Sequence, residues 1–249
     1  MIGQVLAKLF RILLVPQYRR AFLRTRVAAS IEHDAVLYGL GLETVVDIGA
    51  SRGQFALCIR RLYPTAQIYS FEPLDGPAGT WLETFAGDTR AKLFHKAVAA
   101  QAGPATMHVA RWDVSSSLLS IGAAQIANFP FTEEASQQTV STVLLSDCID
   151  PAQINGRALL KLDVQGSELS ALQGCADLLP RFEFVYVEAS FIELYVGQAL
   201  AADIVAFMLS MSFELRCVAN LSHGKSRRPI QADFLFSRAT AGPRSVTTW

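Results

Sequence analysis

The chain has few charged residues, few cysteines and no excess of either sign of charge. Lysine and arginine (22 together) balance aspartate and glutamate (22 together), and charged residues make up 18% of the 249 positions. A protein that binds nucleic acid by neutralising phosphates needs an excess of basic residues, so we expect no nucleic-acid partner. The cysteines and histidines, four of each, show neither a C-x-x-C pair nor the spacing of metal ligands. We therefore expect reduced thiols and no bound metal.

Long apolar segments are also absent. No uninterrupted run reaches the roughly 18 residues of a membrane span. Lys8 and Arg11 interrupt the first apolar stretch, which is not the pattern of a signal peptide. These absences predict a cytoplasmic protein. Hydrophobic residues nevertheless make up 51% of the chain, enough for a large core within one α/β domain.

The N-terminal segment combines basic residues with an apolar stripe at helical spacing. Its basic residues precede the first acid of the chain and are Lys8, Arg11, Arg19, Arg20, Arg24 and Arg26. Two interpretations are open. Such a segment lies on an anionic membrane surface, at the inner face of the membrane, or it packs on the main domain or on a second subunit of a homo-oligomer.

Composition divides the chain into three parts. We predict an N-terminal helical segment over residues 1–38, in which Pro16 ends the first helix and a second helix covers residues 18–38. The main domain covers residues 39–238, and residues 239–249 form a flexible tail. We expect the N-terminal segment to be dispensable for the fold of the main domain.

The most informative stretch is a strand followed by a turn with two glycines. Thr44–Ile48 is β-branched and apolar, which predicts a buried strand. Gly49 and Gly53 follow, and apolar residues then recur at helical spacing, so the glycines lie in a strand-to-helix turn. A second apolar strand, Gln67–Phe71, ends at Glu72, an acid placed to accept hydrogen bonds from a ribose diol. The pattern predicts a site for a ligand that contains adenosine.

The spacing of the glycines indicates which ligand. A dinucleotide fingerprint reads G-x-G-x-x-G, whereas Gly49 and Gly53 are four residues apart and Asp47 precedes them. An acid at this place favours a cation, such as the ammonium or sulfonium of S-adenosylmethionine, and repels a phosphate. The alternative is a tight turn in which Asp47 only caps the following helix. The predicted cofactor contacts are Asp47, Gly49, Ala50, Ser51, Gly53, Gln54, Phe55, Glu72 and Pro73.

The middle of the chain alternates extended and polar segments. Residues 91–98 predict a third strand, and residues 106–110 predict an antiparallel extended segment. The polar residues 112–138 predict an irregular cover over the substrate. Within this cover, Ser116 and Ser117 are further candidates for contact with the cofactor or substrate, with a solvated turn as the alternative.

Four predicted strands end with an acid: Asp47, Glu72, Asp163 and Glu188. In a parallel sheet these ends lie at one edge, so the acids surround one cleft. Asp163 and Glu188 are the predicted catalytic residues, because methylation of a hydroxyl group needs a proton acceptor. His95 and His223 are alternatives, and Tyr195 either lines the acceptor pocket or belongs to the core.

Five segments carry a resemblance to a known family. They are V-D-I-G-A-x-x-G-Q-F (46–55), F-E-P (71–73), L-K-L-D-V-Q-G-x-E (160–168), V-E (187–188) and A-D-F-L-F (232–236). Together they resemble the FkbM-type family of S-adenosylmethionine-dependent methyltransferases (class I, Rossmann-like), over residues 44–238. One departure is Leu145-Ser146-Asp147, where many members have Leu-Asp-Asp.

The resemblance implies a fold and an activity. The implied fold is α/β, a Rossmann-like seven-stranded mostly parallel sheet with an antiparallel last strand and helices on both faces. The implied activity is O-methylation of a hydroxyl group on a sugar, glycan or natural-product acceptor. An N-methyltransferase is an alternative, although Asp163-Val164-Gln165-Gly166 lacks the two prolines expected after the corresponding strand. A non-catalytic module that only binds S-adenosylmethionine is another.

Overall fold

The computed structural model describes residues 8, 10–224 and 227–239. Its strands are β1 (Thr44–Ile48), β2 (Gln67–Phe71), β3 (Ala91–Phe94), β4 (Ala97–Val98), β5 (Gly103–Ala110), β6 (Glu134–Val143), β7 (Ala158–Leu162), β8 (Phe184–Ser190), β9 (Phe213–His223) and β10 (Pro229–Arg238). Its helices include α1 (Pro16–Thr25), α2 (Asp34–Leu37), α3 (Gln54–Leu62), α4 (Asp75–Thr84), α5 (Ala123–Asn128), α6 (Glu168–Gly174) and α7 (Ala201–Ser210). Single turns of 3₁₀ helix lie at Ile31–His33, Asp113–Ser115, Leu145–Asp147, Pro151–Gln153 and Leu179–Arg181.

The main sheet has seven strands in the order β3-β2-β1-β7-β8-β10-β9. Strand β10 pairs antiparallel with both β8 and β9, whereas the other neighbours run parallel. This confirms the predicted Rossmann-like, mostly parallel seven-stranded sheet with its antiparallel last strand.

The centre of the sheet decides where a ligand can bind. Strands β1 and β7 are buried at every residue and pair with each other in parallel, as expected of largely apolar strands in a sheet covered on both faces. The strand that follows β1 in sequence lies on one side of it, and the much later β7 lies on the other. The chain therefore reverses its direction of travel across the sheet between β1 and β7. A crevice opens at the carboxyl ends of strands at such a switch point.

A second, three-stranded sheet in the order β4-β6-β5 corrects two predictions. The single strand predicted over residues 91–98 is two strands, because a turn at residues 95–96 sends β4 into the second sheet. The cover predicted to be irregular contains α5 and the first half of β6. Exposed polar residues at the start of β6 pair with β5 about 30 residues earlier, a long-range pairing that apolar alternation does not reveal.

Helices cover both faces of the main sheet, as predicted. On one face, α6 and α7 pack through residues such as Leu172 and Met208 against Leu160 and Val185. On the other face, α3 and α4 contribute residues such as Ile59 and Trp81 to a separate apolar cluster. Each face thus has its own core, and β1 and β7 separate the two.

The N-terminal segment packs into the second of these cores. Tyr18 and Leu37 are fully buried there together with Ile59 of α3. The predicted helix over residues 18–38 is wrong in its middle, because Arg26 adopts a left-handed conformation (φ 61°) that ends α1. This packing argues against the expectation that the segment is dispensable, since deleting it would uncover the core over α3.

Some predictions fall partly outside the described residues. The start of the N-terminal segment, residues 1–7 and 9, and the predicted tail from residue 240 onwards lie outside them. Within the described part of the chain, no helix has the length and apolar character needed to cross a bilayer. The three-part division of the chain stays a prediction.

Candidate active site

A cavity of about 450 Å³ opens at the carboxyl ends of β1, β2 and β7. It occupies the crevice at the switch point between β1 and β7. Nine of the predicted site residues line it, namely Gly49, Ala50, Ser51, Gln54, Phe55, Glu72, Pro73, Ser116 and Asp163. The predicted residues Asp47, Gly53, Ser117 and Glu188 are not part of its lining.

The turn after β1 brings backbone against the cavity. Gly49 has a φ of +78°, and a Cβ at this position would collide with the carbonyl oxygen of Asp163. The N–H groups of Gly49 and Ala50 both donate to the carbonyl oxygen of Phe71, at 3.0 and 2.9 Å. Glycine is required here because both the conformation and the close approach of Asp163, directly after β7, exclude a side chain.

Gly53 serves helix packing instead of ligand contact. It precedes α3 with a φ of +90°, and a Cβ there would lie 2.6 Å from Cε2 of Phe85 and 2.9 Å from Cδ1 of Trp81. The second glycine therefore lets α4 approach the start of α3. Gly53 therefore affects the cavity indirectly, through the position of α4.

Glu72 follows β2 and is held by two backbone donors. Its Oε2 accepts from the N–H of Ser51 at 2.9 Å, and its Oε1 accepts from the N–H of Leu74 at 2.8 Å. Burial raises the pKa of Glu72 to about 7, although these two hydrogen bonds act in the opposite direction. The carboxyl group has a fixed orientation and retains acceptor lone pairs for hydroxyl groups of a ligand.

Asp47 faces a buried lysine instead of the cavity. It is 0% exposed, and its Oδ1 lies 3.0 Å from Nζ of Lys161, the one charged residue of the fully buried strand β7. The same Nζ donates to the carbonyl oxygen of Gly49 at 3.0 Å. Burial lowers the pKa of Lys161, but the nearby carboxylates outweigh this effect and raise it. Asp47 is therefore not placed for the direct ligand contact that the sequence predicted. Through Lys161, it stabilises the turn after β1 at Gly49.

Asp163 and Glu188 are joined by one glutamine. Nε2 of Gln165 donates to Oδ1 of Asp163 at 2.7 Å and to Oε2 of Glu188 at 3.2 Å. The side chain of Asp163 is 41% exposed. Glu188 lies within β8 and also accepts from Nε2 of Gln231 at 2.6 Å. Burial, followed by the charges of Asp163 and Asp233, raises the pKa of Glu188 well above its ordinary value.

Gln165 in turn depends on Tyr195. The Tyr195 hydroxyl lies 2.8 Å from Oε1 of Gln165 and 3.0 Å from the carbonyl oxygen of Ser115. Tyr195 is 2% exposed and is not part of the cavity lining. Its hydroxyl group links Gln165 to the cover. Of the two interpretations of Tyr195, the structure therefore agrees better with a core aromatic than with a wall of the acceptor pocket.

The cover is tied to the glycine turn by an ion pair. Nη1 of Arg52 donates to Oδ1 of Asp113 at 2.8 Å, and a second bond joins Nη2 to Oδ2. Ser116 lines the cavity, and its Oγ accepts from the N–H of Ala110 at 3.1 Å. Ser117 is 1% exposed, and its Oγ accepts from the N–H of Leu119 at 3.0 Å. Of the two serines, Ser116 is therefore the one at the cavity wall.

Three polar atoms beside the cavity lack partners among the described residues. These buried atoms are Oγ of Ser51, Oε1 of Gln54 and Oγ of Ser167, and all three residues line the cavity. A buried polar atom without a hydrogen bond costs about 1–3 kcal/mol, so polar ligand atoms are expected at this wall. Together with the paired acceptors of Glu72, these residues fit a nucleoside ligand that carries amino-acid groups.

The alternative histidines lie elsewhere. Nε2 of His95 is 3.3 Å from Oδ1 of Asp75, and the His95 side chain is 48% exposed. His223 ends β9 and is exposed. Neither lines the cavity. Three lining residues that the sequence did not single out are Lys161, Gln165 and His33; a lysine inside an apolar strand was the available signal for the first.

The strand order, the single antiparallel strand and the cavity at the carboxyl ends of β1, β2 and β7 define a Rossmann-like fold with a nucleoside-type site. The chain belongs to the FkbM methyltransferase family, whose domain model matches residues 47–215. A relative, the 2-O-methyltransferase NoeI of Sinorhizobium fredii, is 29% identical over 178 residues, which cover 69% of this chain and 72% of the relative. The protein is accordingly a member of a family of S-adenosylmethionine-dependent methyltransferases.

Solved structures resemble the chain more distantly. The magnesium protoporphyrin IX methyltransferase ChlM of Synechocystis PCC 6803, with bound SAM, is 13% identical and has a TM-score of 0.44, over 94% of this chain and 91% of that one. Fibrillarin of Aeropyrum pernix, with natively bound S-adenosyl-L-methionine, is 12% identical with a TM-score of 0.45, over 82% and 72%. The strand order, not these likenesses, defines the fold.

Proposed function

We propose that this protein binds S-adenosylmethionine in the cavity and methylates a hydroxyl oxygen of a small-molecule or glycan acceptor, such as a sugar or natural product. The observation that carries the proposal is the half-exposed carboxylate of Asp163 on the cavity wall, directly beside the glycine turn. The 2-O-methyltransferase name of the relative NoeI favours oxygen as the atom methylated. The missing prolines after β7 argue against an N-methyltransferase.

The glycine turn and Glu72 are the proposed donor side. Glu72 would accept hydrogen bonds from the two ribose hydroxyls, because both its oxygens are fixed by backbone donors. The unpartnered Oγ of Ser51 and Oε1 of Gln54 would meet polar groups of the donor. Bound S-adenosylmethionine supplies a methyl carbon on a positively charged sulfur. The glycine turn holds this donor with backbone that needs little adjustment on binding.

Asp163 is the proposed contact for the acceptor. Its carboxylate would accept a hydrogen bond from the acceptor hydroxyl, and so either orient that oxygen or take its proton. Gln165 fixes the carboxylate at 2.7 Å. Glu188 is not part of the cavity lining and would act through Gln165, so its predicted catalytic role becomes that of a positioning residue.

An acceptor panel tests the proposal. Purified protein is incubated with S-adenosylmethionine and p-nitrophenyl glycosides, free sugars, phenols and amines, and both S-adenosylhomocysteine and the mass of each acceptor are measured. We expect methylation of at least one hydroxyl compound and of no amine. Donor binding without turnover on any compound would favour the non-catalytic module. Comparison of metabolites and glycans from a gene-deletion strain would then identify the natural acceptor by the loss of one methyl group.

A further inference from the structure

The N-terminal segment contributes a histidine to the cavity wall. His33 ends the 3₁₀ turn Ile31–His33 and lines the cavity. Its ring packs edge-on against Phe55 of α3 and Tyr186 of β8, with centroid distances of 5.4 and 5.5 Å. These contacts fix the plane of the ring. His33 also lies outside the residues matched by the family model, 47–215.

Hydrogen bonds to one side of the ring favour one tautomer. The Tyr186 hydroxyl donates to Oδ2 of Asp233 at 2.8 Å, and Nδ1 of His33 lies 3.0 Å from the same hydroxyl. Because the single hydroxyl proton is used toward Asp233, the hydroxyl oxygen is free to accept from Nδ1–H of His33. Nδ2 of Asn220 also lies 3.2 Å from Nδ1, but its shorter hydrogen bond is to Oδ2 of Asp233, and the hydroxyl and carboxylate oxygens near Nδ1 favour a proton on that nitrogen. Nε2 is then unprotonated in the neutral ring. It has no hydrogen-bond partner among the described residues and belongs to a ring that lines the cavity.

A carboxylate behind the ring is placed to stabilise its charged form. Oδ2 of Asp233 lies 3.4 Å from Nδ1 of His33 and accepts from Nδ2 of Asn220 at 2.7 Å. Burial acts to raise the pKa of Asp233, but the contacts with His33 and Asn220 lower it below its ordinary value. Burial and the charge of Asp233 raise the pKa of Tyr186, so its hydroxyl keeps its proton. An imidazole oriented by a buried acid is the arrangement used by general bases.

Other ionisable groups act on this cluster. Asp47 of β1 interacts electrostatically with His33. Lys161 of β7 and Glu188 of β8 both interact with Asp233. Lys161 and Asp47 form an ion pair of their own at 3.0 Å. Among the described residues, Asp233 is the acid whose carboxylate contacts the ring, at 3.4 Å.

We propose that His33 is the general base of the reaction. This inference rests on the proposed hydroxyl methylation. As the acceptor oxygen forms its bond to the methyl carbon, the carbon–sulfur bond breaks and its electron pair stays on sulfur. The hydroxyl proton moves to Nε2 of His33, and the resulting imidazolium is stabilised by Asp233 behind Tyr186. Asp163 then orients the acceptor hydroxyl, and the N-terminal segment supplies part of the catalytic site.

The tautomer can be measured without an acceptor. Protein labelled with ¹⁵N-histidine gives one pair of ring nitrogen signals for each of the four histidines, and the His33 pair is assigned as the one lost in His33→Gln. We expect the neutral ring to carry its proton on Nδ1, and we expect Tyr186→Phe to shift that signal. A neutral ring with its proton on Nε2 would overturn the proposal, whatever the acceptor is.

Kinetics at saturating S-adenosylmethionine test the base itself, with the p-nitrophenyl glycoside or phenol on which the wild-type protein is most active. His33→Gln should lower kcat by about 10² to 10⁴ and remove the acidic limb of its pH profile, with donor affinity unchanged within about twofold. His95→Gln, on an exposed histidine outside the cavity, is the matched control and should behave as wild type.

The outcomes separate the two proposals. Wild-type protein that methylates no hydroxyl compound would contradict the proposed function and leave the tautomer result standing. Wild-type turnover together with a His33→Gln variant that keeps both kcat and the acidic limb would overturn the role of His33 alone. Loss of donor binding in a folded His33→Gln variant would also overturn it, because the histidine would then belong to the donor site.

Discussion

The two sides of the cavity are built in different ways. The proposed donor side consists of backbone: glycine conformations after β1 and two N–H groups that hold Glu72, all within residues 49–74. The acid side consists of side chains from distant parts of the sequence, with Gln165 between Asp163 and Glu188, and His33 facing Asp233. A side built from backbone within a short segment can be predicted from a local sequence motif. The second kind exists only after folding, and it is the proposed acceptor side.

The largest effect is expected from breaking the donor side at its backbone. Gly49→Ala should destabilise the protein by more than about 3 kcal/mol, because the new Cβ meets the Asp163 carbonyl and the φ of +78° is strained. Thermal unfolding measures this loss. Gly79→Ala is the matched control, since nothing lies within 4 Å of its Cβ position in helix α4, and it should stabilise by about 0.5–1 kcal/mol. Equal unfolding free energies for the two variants would contradict the requirement for glycine at position 49.

The next effect separates chemistry from donor binding. Asp163→Asn should lower kcat by about 10² to 10⁴ and leave donor affinity nearly intact, because asparagine keeps the shape but loses the charge that holds the acceptor hydroxyl. Stopped assays at saturating donor and calorimetry measure the two quantities.

Glu188→Gln is the companion variant, and its loss of kcat should be smaller, because Glu188 acts through Gln165. Asp163→Asn could instead weaken donor binding and preserve turnover at saturating donor. Asp163 would then belong to the donor side, which would contradict the division of the cavity into a donor side and an acid side.

On the donor side, Glu72→Ala should weaken S-adenosylmethionine binding by roughly 30- to 150-fold, the loss of about 2–3 kcal/mol expected for a charge-assisted bidentate contact. Calorimetry on the folded variant measures it. Unchanged affinity would remove Glu72 from the donor site.

A smaller effect follows from pH. The pKa of Glu72 is raised to about 7, so donor affinity should increase by about tenfold between pH 6 and 8 as the carboxylate forms. The sign for folding is opposite: the folded state keeps a proton that the unfolded state loses near its ordinary pKa, so the contribution of Glu72 to stability falls as pH rises to 7. Binding measured against pH in wild type and Glu72→Gln tests this, because titration of the ligand is common to both. Parallel profiles would show that Glu72 is not the titrating group.

The smallest effect concerns the N-terminal segment. Its outer surface exposes Phe10, Leu14 and Leu23 at 63%, 62% and 63%, beside exposed Arg19 and Arg20. If it contacts anionic membranes, vesicles rich in phosphatidylglycerol should sediment the protein at low salt and release it as salt rises.

The double variant Arg19→Glu/Arg20→Glu should then weaken vesicle binding by at least about tenfold, since each basic residue near such a surface contributes about 1 kcal/mol. Arg90→Glu/Arg181→Glu, on exposed arginines elsewhere, is the matched control. Absence of vesicle binding together with a dimeric sedimentation mass would favour the homo-oligomer interpretation.

The sequence by itself determined the parts that depend on neighbouring residues. The bounds of β1 and β2 agree with the strands predicted from apolar runs, and the turn at Gly49 and the acid at Glu72 lie where the motif predicted. A buried strand and a left-handed glycine are properties of a few consecutive residues, because burial pattern and φ are local. Membership in the FkbM family followed from the same segments.

Only the tertiary structure decided the rest. It turned Asp47 toward Lys161, joined Glu188 to Asp163 through Gln165, and moved β4 and β6 into a second sheet. It also placed His33 against Asp233, two hundred positions later in the chain. No local pattern encodes such contacts, because burial of a charge or a polar strand becomes favourable only when a distant partner compensates it. The positions of the glycine turn and of Glu72 could therefore be predicted from the sequence, whereas the contacts among the acids and His33 required the fold.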